Sequence, residues 1–333
     1  MKLTRVFPSY FGSRGYDSSG FQEWQLPKYL EENLGVQWVA PELAQEVWLF
    51  DFSWSGMLAA FRVPKSHRKL FVFEPRAVNP VQHRAAVQAL FGQVFVFSCS
   101  QSQPTNTYLE GEGFRGIGAE IQDVSIVRRI GAAFGNKQSV VPGSLYWLRV
   151  DAMVELLRRG YEVTLAGPGW DNSPARFLRQ LVRTLLDSVL AMQLPDLKLL
   201  RPLPLKTLSK FENFQLRGWV DNEVAFFKEF DMLLIVENDL DFLSEKPFGA
   251  IASGVPFVYV GPEEFANYSP PGAPFSSEAS AISVADTVQK LTTRISHGDF
   301  PIETLESRFP QSFYSRLLIE IRTFRSVSNC TSA

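Results

Sequence analysis

The feature that most constrains the fold of this chain is residues 231–261, DMLLIVENDLDFLSEKPFGAIASGVPFVYVG. Residues 232–236 form a short apolar run of the kind found in buried strands, and residues 256–260 form a second one. Between them, Ser244 is typical of a helix N-cap and Gly254 of the position just after a helix. The stretch therefore predicts strand, loop, helix and strand, which is the repeating unit of a parallel α/β sheet.

A polar loop, residues 237–241, follows the first of these strands at its carboxyl end. Ligands of open α/β sheets bind in the crevice beyond the carboxyl ends of the strands. Lys246 falls in the first turn of the predicted helix, where the helix dipole disfavours a cation by a few tenths to about 1 kcal/mol. A bound anion would reverse that cost, because the exposed amides and the ammonium group would share it. An isolated lysine here is most often solvated and without a role, but the adjacent Glu245 and the polar loop favour anion binding.

Composition limits the classes of protein that the chain can belong to. Its 333 residues, 45% of them hydrophobic, can bury a large core and suggest about two domains. A net charge of −2 argues against general nucleic-acid binding, so any anion site must be local. The two cysteines, Cys99 and Cys330, indicate neither a disulfide framework nor a metal site. With no signal peptide and no apolar run of roughly 20 residues, we expect a cytoplasmic protein without a transmembrane segment, and peripheral membrane contact stays open.

Residues 1–130 are predicted as a first α/β domain and residues 131–333 as a second. The stretch 98–140 is irregular, and its glycines, Gly131 and Gly135 among them, are interpreted as loop residues. The elements predicted in the first domain are strands at 47–52, 69–73 and 93–97 and a helix at 81–91.

Glu74 directly follows the second of these strands. It has two interpretations. A carboxylate at a strand end is most often a solvated loop residue, and spacing alone favours that case. Alternatively, it is a base held in a cleft, where partial desolvation raises its pKa.

The second domain contains two further candidate residues. Arg149 lies on a predicted helix and is either a surface cation or an anion ligand, of which its position alone favours the surface cation. Gly167 follows a predicted strand, where the absence of a side chain would let the backbone approach a ligand, although this is a weak signal. The predicted elements are helices at 145–159, 174–192, 221–230, 285–295 and 311–324 and strands at 161–165, 197–200, 232–236, 256–260 and 281–284.

Alternating strands and helices in two halves predict an α/β protein made of two Rossmann-like, doubly wound domains that face each other across a cleft. A cleft of this kind suits a nucleotide-linked substrate.

The stretch 231–261 resembles the donor-binding motif of the α-1,3/1,4-fucosyltransferase family. Members have a strand ending in Phe-Glu-Asn-Ser, then Tyr-x-Thr-Glu-Lys, an apolar helix and a Gly-Thr-Val-Pro turn. The counterparts here are Val-Glu-Asn-Asp at 236–239, Phe-Leu-Ser-Glu-Lys at 242–246 and Gly-Val-Pro at 254–256. Weaker similarities involve Asn136-Lys137 through Pro142-Gly143, Arg149, the glycine block 167–170 and Phe73-Glu74-Pro75.

The sequence departs from the family motif at three points. The family's tyrosine is Phe242 here, which removes a hydroxyl, whereas Ser244 keeps the hydroxyl of the family's threonine. The Gly-Val-Pro turn is one residue shorter. These differences leave the class of enzyme unchanged and the donor sugar open.

The resemblance implies the GT-B architecture and an inverting transfer of a sugar from a GDP-sugar to a glycan acceptor, with fucose as the first candidate for that sugar. Arg149 and Lys246 would meet the pyrophosphate, and Glu245 would accept hydrogen bonds from the donor sugar. Glu74 would be the single base that deprotonates the acceptor hydroxyl. The full set of implied donor-binding residues is Arg149, Glu237, Asn238, Ser244, Glu245, Lys246, Lys137 and Gly167.

No cofactor or metal is predicted. The sequence Asp239-Leu240-Asp241 has the DxD form that chelates a metal in another glycosyltransferase fold. We interpret it as loop acidity, because arginine and lysine can take over the metal's role. The three histidines are scattered and show no ligand spacing; they are His67, His83 and His297.

Three alternatives accompany this interpretation. The first is a GT-B glycosyltransferase with a different donor, such as a UDP- or GDP-hexose. The second is a module that binds a nucleotide or glycan without turnover. The third is an oxidoreductase, against which the absence of GxGxxG after the first strand argues.

Overall fold

The structure, a computed structural model, describes residues 3–10, 25–96, 127–136, 139–170, 173–192, 194–199, 204–242, 244, 246–263, 265 and 275–296. These residues belong to two compact units, and each unit has one parallel sheet with helices. The two Rossmann-like α/β units are as predicted. The border between them stays a prediction, because no residue between 96 and 127 is described.

The first sheet has five strands in the order β2-β1-β3-β4-β5, and all four pairings are parallel. The predicted strands at 47–52, 69–73 and 93–97 are confirmed as β3, β4 and β5; β3 and β4 begin one residue earlier than predicted, and β5 begins where predicted. The strands are β1 Thr4–Tyr10, β2 Val36–Trp38, β3 Glu46–Phe50, β4 Arg68–Val72 and β5 Gln93–Val96, and the helices are α1 Gln25–Leu34, α2 Trp54–Ala60 and α3 Ala85–Gln88.

The single helix predicted at 81–91 is wrong, because the structure has two short helical segments there. The structure has a 3-10 turn, Pro80–His83, followed by the four-residue α3. Arg84 between them has an extended backbone, with φ −83° and ψ 132°, which interrupts the helical ladder.

The central strands of the first sheet are buried on both faces, which explains their continuous apolar runs. On one face, Val47, Leu49 and Leu70 pack in a cluster of aliphatic and aromatic side chains. On the other, the ring of Phe71 stacks between those of Phe50 and Phe95, with centroid distances of 5.0 and 4.8 Å.

The second sheet has six parallel strands in the order β11-β10-β9-β6-β7-β8. Counted from β6, this is the order 3-2-1-4-5-6 of dinucleotide-binding domains. The strands are β6 Arg129–Ala133, β7 Glu162–Ala166, β8 Phe214–Gly218, β9 Met232–Val236, β10 Phe257–Val260 and β11 Phe275–Ser276. The helices are α4 Tyr146–Arg158, α5 Pro174–Leu190, α6 Pro204–Leu208, α7 Glu223–Phe227, α8 Lys246–Ser253 and α9 Ala281–Ser296.

Most predicted elements of the second unit are confirmed, including the strand-loop-helix-strand unit of β9, α8 and β10. Gly160 and Gly254 follow α4 and α8 with φ of +88° and +71°, as expected for glycines that end helices. The helix predicted at 311–324 lies outside the described residues.

Two predicted strands of the second unit are wrong. Residues 197–200 contain the 3-10 turn Leu197–Leu199. Residues 281–284 are the first turn of α9, because the Ser280 hydroxyl accepts from the Ser283 amide at 3.1 Å and so caps the helix.

The interpretation of Gly131 as a loop residue is also wrong. Gly131 lies in the middle of β6, and a Cβ there would come within 2.4 Å of the Phe230 ring. The glycine therefore makes room for an aromatic side chain that packs against the sheet.

No helix among the described residues is both long enough and apolar enough to cross a membrane.

Candidate functional site

The order of the second sheet places its topological switch point between β6 and β9. Chain connections run from β6 towards β7 on one side and from β9 towards β10 on the other. Ligands of such sheets bind outside the carboxyl ends of the two strands at this point. Four of the predicted donor-site residues follow β9 and are described: Glu237, Asn238, Ser244 and Lys246.

Arg149 lies on α4 directly at this switch point. Its guanidinium donates to the carbonyl of Val236 in β9, through Nη2 at 2.8 Å and Nε at 3.2 Å, and to the carbonyl of Gly135 after β6 at 3.3 Å. Nη2 also donates to Asn238 Oδ1 at 2.9 Å. Arg149 therefore connects the carboxyl ends of β6 and β9, and the expectation of a surface cation from position alone is wrong.

The surroundings of Arg149 are apolar and aromatic. The side chain is only 3% exposed, and its guanidinium carbon lies 4.5 Å from the centre of the Tyr146 ring and 5.0 Å from that of Phe134. Burial lowers the pKa of Arg149, an effect that Tyr146 and Glu237 oppose. The result is a cation fixed in a medium of low polarity, where its field extends further than at the surface.

Glu237 and Asn238 begin the loop after β9. The Glu237 amide continues the ladder by donating to the Val260 carbonyl at 2.8 Å, and its carboxylate accepts from the Ser244 amide at 2.8 Å. Glu237 is 1% exposed. The Asn238 carbonyl accepts from the Leu145 amide at 2.9 Å, just before α4. Both residues thus hold the loop in one conformation against the neighbouring elements.

The helix α8 begins at Lys246, as the sequence predicted for its first turn. The buried Ser244 hydroxyl accepts from the Lys246 amide at 3.3 Å, so it satisfies one of the free amides of the helix start. Glu245, between them, lies outside the described residues, as does Lys137. The loop, the helix start and Lys246 are consequently parts of one hydrogen-bonded segment with Glu237.

The acidic pair of the DxD sequence lies within the same loop. Asp239 Oδ1 accepts from the Asp241 amide at 3.0 Å, which closes a local turn of the backbone. Across the described part of the chain, no three His, Cys, Asp or Glu side chains come together as a metal site.

Gly167 ends β7 beside this region. Its φ is +124°, and a Cβ would lie 2.2 Å from the Phe134 carbonyl oxygen, so no larger residue fits without a backbone shift. The same Phe134 carbonyl accepts from Trp170 Nε1 at 2.6 Å. Gly167 therefore permits the strand-end loops of β6 and β7 to pack directly on each other.

In the first unit, Glu74 follows β4 and is half-buried. Its amide donates to Asp51 Oδ1 at 2.8 Å. Its carbonyl accepts from Gln82 Nε2 at 2.8 Å and from His83 Nε2 at 3.0 Å. Burial lowers the pKa of His83, and the hydrogen bond to the Glu74 carbonyl opposes this shift. The backbone of Glu74 is thus held from three directions.

Asp51, which sequence reasoning missed, directly follows the neighbouring strand β3. The order β2-β1-β3-β4-β5 has its switch point between β1 and β3, so Asp51 occupies the ligand-binding edge of this sheet. It is a buried residue with φ +64°, and burial, then the charge of Glu74, raises its pKa to about 7. The available signal was an acid directly after the apolar run of β3.

Comparisons with known proteins reveal the fold. No protein-family model matches the chain, and no curated protein sequence matches it. A solved α1,3-fucosyltransferase matches with a TM-score of 0.53 and 12% identity, over 96% of this chain and 89% of that one. The α1,3-fucosyltransferase solved with GDP matches with a TM-score of 0.51 and 12% identity, over 98% and 90%. At this identity the likeness shows a shared fold.

Proposed function

We propose that this protein is an inverting glycosyltransferase that moves a sugar, fucose first, from a GDP-sugar to a hydroxyl of a glycan acceptor. The observation that carries the proposal is the switch point between β6 and β9, where Arg149 lies behind the loop that leads to Lys246 at the start of α8. The fold shared with α1,3-fucosyltransferase, which has been solved with GDP, supports it.

The pyrophosphate of the donor is assigned to the start of α8. Free backbone amides and the positive end of the helix dipole bind phosphate, and the Lys246 ammonium adds a charge-assisted hydrogen bond. Arg149 lies behind this position, with its donors directed at Val236, Gly135 and Asn238. We assign it two tasks: it fixes Asn238 and the strand ends, and it supplies positive potential from a buried position.

The remaining donor residues shape the sugar and nucleotide pocket. The Glu237 carboxylate holds the Ser244 amide, and this fixes the loop that would border the donor. Gly167 keeps the end of β7 free of a side chain. Glu245 is assigned hydrogen bonds to the sugar hydroxyls, and Lys137 a contact to the donor, on the basis of the motif resemblance.

The reaction is assigned a single displacement. The acceptor hydroxyl gives its proton to the Glu74 carboxylate while its oxygen forms a bond to the anomeric carbon. The bond between that carbon and the diphosphate oxygen breaks on the opposite side, and its electron pair leaves with the diphosphate. Lys246 and the α8 amides stabilise the charge that develops there. One base suffices, and inversion follows from the attack on the opposite side.

A thermal-shift panel with GDP, UDP, CMP, GDP-fucose and UDP-glucose tests the donor assignment. A ligand at 100 times its Kd stabilises the folded protein by about 2.7 kcal/mol, which raises Tm by roughly 5–10 °C. We expect GDP and GDP-fucose to give the largest shifts and CMP little or none. A panel in which no nucleoside diphosphate raises Tm would contradict the proposal.

The second candidate function is the same transfer from a donor other than GDP-fucose. The observation in its favour is Phe242. This residue lacks the hydroxyl of the tyrosine in the fucosyltransferase motif. Measuring the slow hydrolysis of GDP-fucose, a GDP-hexose and a UDP-hexose would distinguish the donors. Nucleotide binding without hydrolysis or transfer of any of them would instead indicate a non-catalytic module.

A further inference from the structure

We propose that Asp51 is the positioning residue of the candidate base: it fixes the backbone of Glu74 and so sets the direction in which the Glu74 side chain leaves the strand end. The proposal rests on the proposed function, because it concerns the base of that reaction. Two features of the first unit carry it, hydrogen bonding and backbone conformation, and the charges around Asp51 agree with them.

The hydrogen bonds of Asp51 all converge on one carboxylate oxygen. Oδ1 accepts from the amides of Phe73 and Glu74, both at 2.8 Å, and from Gln82 Nε2 at 2.9 Å. Gln82 Nε2 also donates to the Glu74 carbonyl at 2.8 Å. Asp51 and Gln82 together therefore hold the peptide groups on both sides of the Glu74 side chain.

The conformation of Asp51 shows that this position is specialised. Its φ of +64° lies in the left-handed region, which costs an ordinary side chain about 1 kcal/mol or more. Gln82 is fully buried, and its Oε1 accepts from the Phe52 amide at 2.7 Å, so the chain on both sides of Asp51 is fixed. The left-handed backbone of Asp51 therefore directs Oδ1 towards the loop that carries Glu74.

The charges around Asp51 couple the two carboxylates. Burial and the negative charge of Glu74 both favour protonated Asp51, and its pKa rises to about 7. Among the described residues no hydrogen bond reaches the second oxygen, Oδ2, so a proton there displaces no donor. Two further ionisable groups among the described residues act here: His83 Nε2 donates to the Glu74 carbonyl, and the charge of Arg76 lowers the pKa of His83. Below about pH 7 Asp51 is therefore largely protonated, and a proton on Oδ2 leaves Oδ1 as the acceptor of its three hydrogen bonds.

Asp51→Asn separates charge from geometry. Asparagine tolerates the left-handed region, and its Oδ1 can accept the same three hydrogen bonds, but it carries no charge. We expect the GDP affinity of this variant to stay within about twofold of wild type. Its kcat for transfer should also stay within about threefold of wild type, because the three hydrogen bonds remain. Asp51→Ala removes the acceptor of all three and should lower kcat at least tenfold while GDP affinity stays unchanged. Asp187→Ala, at a half-buried acid in the other unit, is the control and should leave kcat unchanged.

A titration that needs no enzymatic activity tests the same pair. Carboxyl-carbon NMR of wild type should show Asp51 titrating near pH 7, and Glu74→Gln should shift that midpoint to lower pH. An unchanged midpoint in Glu74→Gln, or a wild-type kcat in Asp51→Ala, would overturn the proposal. If wild type transfers no sugar, the proposed function fails, while the NMR titration still decides whether the charge of Glu74 reaches Asp51.

Discussion

Replacing Arg149 should weaken both the stability of the second unit and its affinity for a nucleoside diphosphate. Its guanidinium donates to three acceptors: the buried carbonyl of Val236, and the partly buried carbonyl of Gly135 and side chain of Asn238. Arg149→Met keeps the apolar length of the side chain and removes every donor. Arg149→Lys keeps the charge but loses the planar fork that reaches both strands at once.

The magnitude follows from those acceptors. Each buried acceptor that loses its donor costs about 1–3 kcal/mol, and relief from desolvating the guanidinium offsets part of the sum. We expect a net loss of about 2–4 kcal/mol for Arg149→Met, which lowers Tm by roughly 5–15 °C. GDP affinity should fall about tenfold or more, because the loop after β9 loses its fixed position. Arg149→Lys should show smaller changes in both.

Differential scanning fluorimetry and calorimetric titration with GDP provide the two readouts. Arg129→Met is the matched control, because Arg129 begins β6 at the opposite end of the same sheet and pairs with Asp231 while its side chain is 55% exposed. Its loss should cost at most about 1 kcal/mol and leave GDP affinity unchanged. If Arg149→Met kept its Tm within about 2 °C and its GDP affinity within about twofold of wild type, the reasoning would be refuted.

Three further predictions concern other parts of the two units. Lys246→Ala should weaken GDP binding by about 1–3 kcal/mol, or roughly 5- to 150-fold, in calorimetric titration, whereas Lys210→Ala, at an exposed lysine, should not. Gly167→Ala should lower the free energy of unfolding by more than about 3 kcal/mol in a denaturant titration, because the added Cβ would lie 2.2 Å from a backbone oxygen. Gly160→Ala is the control: φ there is +88° but no atom lies within 4 Å of the added Cβ, so the same titration should show a loss of only about 1 kcal/mol. Asp51 should make the protein less stable as pH rises from about 4 to about 7. Its folded-state pKa of about 7 lies above the 3.8 of an unperturbed aspartate, so its contribution is fully present below pH 3.8 and is lost as pH passes 7, by up to about 4 kcal/mol. Urea titrations of wild type and Asp51→Asn should therefore diverge over this range, and parallel curves would contradict the assignment.

The strands that could be predicted from the sequence are those buried on both faces, because such strands have a continuous run of apolar residues. β9, MLLIV, has five buried residues and was found, as were β3 and β4. β6, RIGAA, was missed because its packing depends on a missing side chain at Gly131, into whose space the Phe230 ring fits. That contact between distant residues has no local signature.

Of the four other described strands that were missed, β1, β2, β8 and β11, two show why. β8, FQLRG, lies at the edge of its sheet with largely exposed side chains, so it has no apolar run. β1 contains Pro8, a residue that normally argues against an interior strand, yet the strand pairs with β2 and β3 on its two sides. Tertiary pairing overrides local preference in both cases.

The assignment of the donor site stays a prediction, and only some contacts among its residues are on view. Arg149 on α4 donates to Asn238, and the Ser244 amide donates to Glu237, all within one unit. Asp51 was missed because an acid closing an apolar run resembles the end of a strand. Its importance arises from the amide of Phe73, 22 residues away, and from a left-handed backbone that no pattern of residues reveals.

The most direct test of the central claim is a crystal structure of the protein with GDP. The account predicts the diphosphate at the amino end of α8, with the Lys246 ammonium within hydrogen-bonding distance and Arg149 behind it. A GDP molecule bound at the amino ends of the strands, or anywhere away from the switch point between β6 and β9, would contradict it.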